Sequence, residues 1–170
     1  TLEFSKDGKY FVTASDDGTA RMVDASTGAA LVSLKGHQQE SMYSEFSPDG
    51  KRILTVSRDA TARIWDNTGK QLQVLKGHKA LIFRGEFSPD GTKVAYVYQD
   101  KSNNKVVYNL YVEELKTGKT QQLTFDTRDR SINGTFDWVY SEELFCTDGF
   151  RWSPDGTHIA YWNVDASQVR

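Results

Sequence analysis

One five-residue pattern recurs four times and constrains the fold of this chain more than any other feature. It is an aromatic residue followed by Ser-x-Asp-Gly, and it begins at Phe4, Phe46, Phe87 and Trp152. The intervals are 42, 41 and 65 residues, so the last one holds a full period plus an insertion of 23 or 24 residues. A period of about 40–45 residues with strand-like segments between tight turns is typical of β-propeller blades, each of which is a four-stranded sheet.

Each repeat divides into segments of strand character. In the second repeat, for example, 51–56 and 62–65 are rich in β-branched, aromatic and other apolar residues. Three repeats are complete, and the fourth has two predicted strands at about 148–152 and 157–163 before the chain stops. The predicted fold class is therefore all-β: a partial β-propeller of about three and a half four-stranded blades, with a short helical insertion before the last blade at about 125–147.

The composition excludes several classes of function. With 21 Lys+Arg, 23 Asp+Glu and a net charge of −2, the chain lacks the basic surface that nucleic-acid binding requires. One Cys cannot form an internal disulfide, and no apolar run approaches the roughly 20 residues that span a bilayer. No metal-ligand spacing or phosphate-binding glycine loop is present, so we expect no metal and no cofactor. Because the chain starts at Thr1 and stops within a blade, we expect a fragment of one propeller.

The first two repeats contain a second set of motifs. Gly-His at 36–37 precedes the second repeat, and Arg-Ile-Trp-Asp at 63–66 ends its third strand. With these motifs the first two repeats resemble WD repeats. In WD repeats a His, a Ser or Thr of the second strand, a turn Asp and a Trp form a buried hydrogen-bonded network. In the first repeat Val23 stands where the Trp is expected, so its network should be incomplete. For the second repeat the resemblance predicts a structural network of His37, Ser57 (or Thr55), Asp59 and Trp65.

Two further residues have candidate roles that compete with ordinary structural ones. Arg58 lies in a turn at a blade edge, so it could contact a substrate, or it could be a solvated turn residue. Cys146 could be a nucleophile only with a base partner. No such partner lies near it in the sequence, so we interpret Cys146 as a small, partly buried residue.

From the third repeat onward the sequence changes character. Residues 137–143 read Asp-Trp-Val-Tyr-Ser-Glu-Glu, and 152–156 read Trp-Ser-Pro-Asp-Gly. This pair of motifs resembles the N-terminal propeller of the dipeptidyl peptidase IV-like serine peptidases, within the prolyl oligopeptidase superfamily. We therefore divide the chain into WD-repeat-like blades at 1–80 and dipeptidyl peptidase IV-like blades at 81–170.

Glu142 and Glu143 are the candidate functional residues, and they lie in a predicted short helix at 137–145. Adjacent carboxylates repel each other unless a cation lies between them. The ammonium group of a free peptide N-terminus supplies a positive charge and three N–H donors. In the resembling family such a pair anchors the substrate amine, so the resemblance implies a substrate-gating propeller of an exopeptidase that removes N-terminal dipeptides. The structural alternative is a solvated helix face.

The same resemblance implies the partners of this chain. The peptide substrate would have a free N-terminus. A separate C-terminal α/β-hydrolase domain would supply the Ser-His-Asp triad, since no Gly-x-Ser-x-Gly motif occurs here. The resemblance also allows a homodimer of the parent protein and an exported or periplasmic location. Two alternatives stay open: a WD-type propeller scaffold for protein–protein interaction with no catalytic role, and a recombined chain with its seam near residue 80.

Overall fold

A computed structural model describes residues 1–78, 80–100, 107–125, 128, 130–135 and 149–166. Within those ranges the chain forms sixteen β-strands and no helix, so the predicted all-β class is confirmed. The chain divides into two compact units, Thr1–Phe87 and Ser88–Arg170. The predicted change of blade type after residue 80 concerns sequence character and stays a prediction.

The first unit contains two complete blades and one further strand. Its two antiparallel sheets have the strand orders β1-β2-β3-β4 and β5-β6-β7-β8, so chain neighbours are also sheet neighbours. The last strand, β9, packs beside β5 and β6. The strands are β1 (Leu2–Phe4), β2 (Tyr10–Ala14), β3 (Ala20–Asp24), β4 (Ala30–Leu34), β5 (Ser41–Phe46), β6 (Arg52–Ser57), β7 (Ala62–Asp66), β8 (Gln71–Leu75) and β9 (Ile82–Phe87).

The recurring Ser-x-Asp-Gly pattern forms the turn between the first two strands of a blade. In the second repeat Gly50 N donates to Ser47 O at 2.8 Å, and Lys51 N donates to Asp49 Oδ1 at 3.1 Å. Gly50 has φ +67°, a left-handed conformation that glycine adopts without steric cost. The same carbonyl accepts the same glycine N–H in the other three repeats, at Ser5, Ser88 and Ser153. The four turns are therefore structurally equivalent.

The core of the first unit lies where its two sheets face each other. Period-2 alternation directs Val12, Met22 and Leu34 of the first sheet toward Ile53 and Trp65 of the second. Ile53 pairs with Trp65 across β6 and β7, so the indole sits beside a β-branched neighbour. This packing buries the tryptophan and the polar groups next to it.

The described residues of the second unit form seven strands. The sheet order β16-β13-β11-β10 is continuous, and β12 also pairs with β11, while β14 and β15 form a two-stranded antiparallel sheet. Its core comprises Ala95, Val97, Leu110 and Phe150. The strands are β10 (Lys93–Asp100), β11 (Val107–Glu114), β12 (Thr120–Gln122), β13 (Ser131–Asn133), β14 (Phe150–Trp152), β15 (Ile159–Tyr161) and β16 (Asn163–Asp165).

The region of the predicted insertion differs from the expectation in part. Its described residues include β13, which runs parallel to β11 with Ile132 opposite Tyr108. The strand predicted at 157–163 ends at Tyr161, and β16 follows it and pairs with β13 instead. Side-chain amides support both neighbours of β13: Asn133 Nδ2 donates to Tyr108 O of β11 at 3.1 Å, and Asn163 Nδ2 of β16 donates to Asn133 Oδ1 at 2.6 Å. The predicted helix at 137–145 lies outside the described residues.

Candidate functional site

The second blade contains a buried chain of hydrogen bonds that starts at His37. Its Nδ1 lies 3.0 Å from Asp59 Oδ2, and its Nε2 lies 2.8 Å from Thr55 Oγ1. The same hydroxyl accepts the indole N–H of Trp65 at 2.9 Å. Every bond is satisfied when His37 is neutral with its proton on Nδ1, because the Thr55 O–H then donates to Nε2. Burial lowers the pKa of His37, and Asp59 only partly opposes that effect.

The order hydroxyl–imidazole–carboxylate in this network is also the order of a catalytic triad, but its position excludes catalysis. Thr55 is 0% exposed and Trp65 is 2% exposed, so no substrate carbonyl can reach the hydroxyl. The Thr55 oxygen is also engaged by the indole. A nucleophile must be accessible to its substrate, so this arrangement can only stabilise the blade.

Sequence reasoning placed Ser57 in this network, with Thr55 as its alternative, and it missed Thr61. In the structure Ser57 Oγ donates to Gln39 O at 3.2 Å and accepts Asp59 N at 3.0 Å, so it braces the turn. Thr61 Oγ1 donates to Asp59 Oδ1 at 2.6 Å. The signal for this contact was an Asp-x-Thr pattern, because Thr19 donates to Asp17 at 2.6 Å in the first blade.

Arg58 lies at the surface of the first unit. Its guanidinium Nη1 is 3.7 Å from Glu40 Oε1, and the two side chains are 51% and 38% exposed. An exposed pair at this distance contributes little to stability. The suggested contact between Arg58 and a substrate stays a prediction.

A second cluster of charged residues lies on the first strands of the blades, and sequence reasoning missed it. Phe87 N donates to Glu45 Oε1 at 2.6 Å, which joins β9 to β5. Beside this bond, Arg84 Nη2 lies 2.6 Å from Glu86 Oε1, and the Arg84 guanidinium lies over the Tyr43 ring at 4.8 Å. The available signal was the Glu that precedes Phe in three repeats, at positions 3, 45 and 86.

Glu142 and Glu143 lie outside the described residues, as does Cys146. The residues that flank this segment, up to Thr135 on one side and from Gly149 on the other, are described. A Cβ at Gly149 would collide with the backbone of Gly134 and Thr135, so the two flanks touch. Gly134 N donates to Trp162 O at 2.9 Å, and Trp162 N donates to Gly149 O at 2.9 Å. The two flanks of the segment are therefore joined to each other through the backbone of Trp162.

The second unit also has an open groove of about 430 Å³. Its apolar floor includes Val112 and Trp152, and Lys93, Lys119 and His158 lie along it.

Among the described residues, no group of His, Cys, Asp or Glu has a geometry that could hold a metal ion. No helix in the described part of the chain is long and apolar enough to cross a membrane.

Two protein-family models match the chain. Residues 57–170 match the model described as the dipeptidyl peptidase IV (DPP IV) N-terminal region. Residues 1–24 and 28–66 match the model described as WD domain, G-beta repeat. Both resemblances drawn from the sequence are thereby confirmed, and the two matches overlap at residues 57–66.

Three curated relatives align with part of the chain. A probable dipeptidyl-aminopeptidase B of Talaromyces marneffei is 44% identical over 62 residues, which is 36% of this chain and 7% of that protein. Prolyl endopeptidase FAP of Homo sapiens is 40% identical over 76 residues, 44% of this chain and 9% of that protein. A putative dipeptidyl aminopeptidase of Schizosaccharomyces pombe is 38% identical over 66 residues, 37% of this chain and 8% of that protein. The chain thus spans less than a tenth of the length of these relatives.

Proposed function

Because the chain belongs to the family of the dipeptidyl peptidase IV N-terminal region, we propose that it is the substrate-gating propeller part of a serine exopeptidase that removes N-terminal dipeptides. The family match over residues 57–170 is the observation that carries this proposal, since it includes the Glu142-Glu143 segment. Two of the relatives described above are named as dipeptidyl aminopeptidases, which agrees with it.

Glu142 and Glu143 are the proposed anchor for the substrate amine. Two neighbouring carboxylates oppose each other's ionisation, and an ammonium group that binds between them relieves that repulsion. Each charge-assisted hydrogen bond to the ammonium contributes about 1.5–3 kcal/mol. An N-acylated peptide lacks both the charge and the donors, so the pair would reject it. Holding the terminal amine fixes the distance along the peptide to the bond that is cleaved.

The flanks of the Glu142-Glu143 segment support this role. An anchor has to hold its carboxylates in place, and positioning of that kind requires supporting residues that are themselves fixed by packing. Gly149 packs against Gly134, and Phe150, which follows it, is 2% exposed in the core of the second unit. The segment is thus joined to the sheet at a well-packed point.

The acyl-transfer chemistry is proposed to lie outside these residues. The sequence contains no Gly-x-Ser-x-Gly motif, and the hydroxyl–imidazole–carboxylate chain of Thr55, His37 and Asp59 is sealed from substrate. A separate α/β-hydrolase domain in the full-length protein would supply the serine nucleophile, its base and the oxyanion hole. The propeller would then determine which peptides reach that nucleophile.

The anchor can be tested by kinetics on the full-length protein. We expect Glu142→Gln and Glu143→Gln each to lower kcat/KM for a free-amino dipeptidyl substrate about 10- to 100-fold, which is the loss of one charge-assisted bond. Glu114→Gln is the matched control from the chain's other Glu-Glu pair and should leave kcat/KM unchanged. An N-acylated substrate is the second arm, because one relative is named as an endopeptidase. Equal rates on free and acylated substrates would exclude an exopeptidase.

A WD-type scaffold is the second candidate function. The WD family match at residues 1–24 and 28–66 favours it, because blades of this type serve many interaction proteins. A fluorophosphonate probe, which reacts with activated serines, separates the two candidates. Labelling of the full-length protein supports the peptidase, whereas no labelling of the folded protein supports the scaffold.

A further inference from the structure

A buried side-chain amide on β13 joins three strands of the second unit. Asn133 is 2% exposed. Its Nδ2 donates to Tyr108 O at 3.1 Å and to Asn109 Oδ1 at 3.4 Å, both on β11, and its Oδ1 accepts Asn163 Nδ2 of β16 at 2.6 Å. Two oxygens face Nδ2 and one donor faces Oδ1, so all three bonds form in only one orientation of the amide.

The same network reaches the residue that precedes the predicted insertion at 125–147. Thr124 Oγ1 donates to Asn109 Oδ1 at 2.8 Å and accepts Leu110 N at 2.9 Å. Asn109 and Thr124 are both buried. A satisfied buried network of this kind is rigid, whereas the loss of one member leaves polar groups unpaired in surroundings of low dielectric constant. Thr124 and Asn133 are thereby both held against β11.

The side-chain bond from Asn163 to Asn133 lies next to the backbone bonds that join the two flanks of the Glu142-Glu143 segment. Asn133 precedes Gly134, and Asn163 follows Trp162. Gly134 N donates to Trp162 O, and Trp162 N donates to Gly149 O, each at 2.9 Å. A shift of β13 relative to β16 would therefore move both flanks.

The backbone conformation just before β13 indicates that the surroundings impose the position of this strand. Arg130 has φ +59°, a left-handed conformation that is unfavourable for a residue with a Cβ. Its carbonyl oxygen accepts Ala166 N at 3.1 Å, just after the end of β16. Such a conformation persists only where several contacts fix the chain. The pairing of β13 with β16, supported by Asn133 and Asn163, supplies those contacts.

We propose that Asn133 is a positioning residue for the substrate-amine anchor, with Asn163 as its partner, and that their amide bond helps to fix where Glu142 and Glu143 are held. This inference rests on the proposed function. In this role neither amide touches the substrate, because the pair acts by fixing the flanks of the segment. An anchor that is fixed in advance binds an ammonium group without first ordering its own chain. Loss of the amide bond would therefore weaken substrate binding and leave acyl transfer in the hydrolase domain unchanged.

Steady-state kinetics of the full-length protein on a free-amino dipeptide p-nitroanilide tests this role. Asn133→Asp keeps the shape of the side chain but replaces its N–H donors by a carboxylate oxygen that faces Tyr108 O. We expect KM to rise about 10- to 100-fold with kcat nearly unchanged, because binding is lost equally from ground state and transition state. Asn67→Ala is the matched control. It removes an exposed amide that donates to Gly50 O at 2.8 Å in the first unit, and both constants should stay unchanged.

The separate values of KM and kcat distinguish positioning from a general loss of stability. A variant that only unfolds more readily contains fewer active molecules, so its kcat falls while its KM stays the same. Thr55→Val, in the buried network of the first unit, provides that comparison. Asn163→Ala is the second variant if Asn133→Asp does not fold, because Asn163 is exposed. It removes one hydrogen bond, so KM should rise about 3- to 10-fold.

Glu142→Gln, measured in parallel, distinguishes failure of this inference from failure of the anchor. If Glu142→Gln lowers kcat/KM but neither Asn133→Asp nor Asn163→Ala raises KM, the positioning role is overturned and the anchor stands. If Glu142→Gln has no effect, the anchor is wrong and the positioning role is lost with it. A fall in kcat at constant KM in both asparagine variants, as in Thr55→Val, would also overturn the positioning role.

Discussion

Replacing Thr55 by Val tests whether the His37 network stabilises the second blade. Val has nearly the same shape as Thr and removes only the hydroxyl. That hydroxyl accepts the Trp65 N–H at 2.9 Å and lies 2.8 Å from His37 Nε2, so its loss leaves one donor and one acceptor without a partner. Each unsatisfied buried group costs about 1–3 kcal/mol. We therefore expect a loss of about 2–5 kcal/mol in the free energy of unfolding.

The measurement is urea unfolding followed by tryptophan fluorescence, with the denaturant slope checked for constancy. Thr13→Val is the matched control, because Thr13 lies 42 residues before Thr55 at the same repeat position. In that repeat Val23 takes the place of the tryptophan, so no indole N–H is available to the Thr13 hydroxyl. The control should change stability by less than about 0.5 kcal/mol. If Thr55→Val and Thr13→Val gave equal losses, the network would carry no stability and the reasoning from its buried bonds would be wrong.

Two further predictions concern acid stability and the joined flanks of the Glu142-Glu143 segment. Burial of Asp59 is outweighed by hydrogen bonds from Thr61, Gln38 N and His37, which lower its pKa to about 2. Its stabilising effect is present above the unfolded pKa of 3.8 and is lost as pH falls toward 2. Asp59→Asn should therefore melt at a lower temperature than the unaltered chain at pH 6, with the gap closing by pH 2; a constant gap would contradict this. Gly149→Ala should lower the free energy of unfolding by about 3 kcal/mol because its Cβ meets backbone, whereas Gly118→Ala, with open space around it, should lose only about 1 kcal/mol for its positive φ; equal losses would contradict this.

The regular parts of the fold were predictable because their signals are local. The Ser, Asp and Gly of each turn form hydrogen bonds with residues at most five positions away. The five-residue pattern therefore contains the groups that form the turn. The strands that follow alternate between a core face and the opposite face, which sequence periodicity reports directly. The equivalence of the four turns, and hence the repeat, needed no information from distant parts of the chain.

Sequence alternation could not decide whether Thr55 or Ser57 belongs to the His37 network. The two residues are two positions apart, lie on the same face of β6 and are both 0% exposed. Alternation cannot distinguish them. The register of β6 against β7 decides, because it places Trp65 opposite Ile53 and its indole N–H within reach of Thr55.

The strands β13 and β16 were missed because each has three residues and pairs with a distant partner. Ser131–Asn133 contains one apolar residue, so no period can be read from it. Its position depends on amide hydrogen bonds across 25 and 30 residues of chain. The charged contacts of Glu45 were missed for the same reason, since Phe87 lies 42 residues away.

The glutamate before each phenylalanine has a consequence for how such a chain can be built by duplication. Copying a blade also copies its Glu, and the carboxylates of neighbouring copies act on one another, since Glu86 and Glu3 both contribute to raising the pKa of Glu45. The third repeat carries Arg84 two residues earlier, and the fourth has Arg151 in place of the Glu. An array of identical second repeats would accumulate like charges along the first strands of its blades. Divergence between copies relieves that repulsion, and a designed consensus blade would need to alternate its charges.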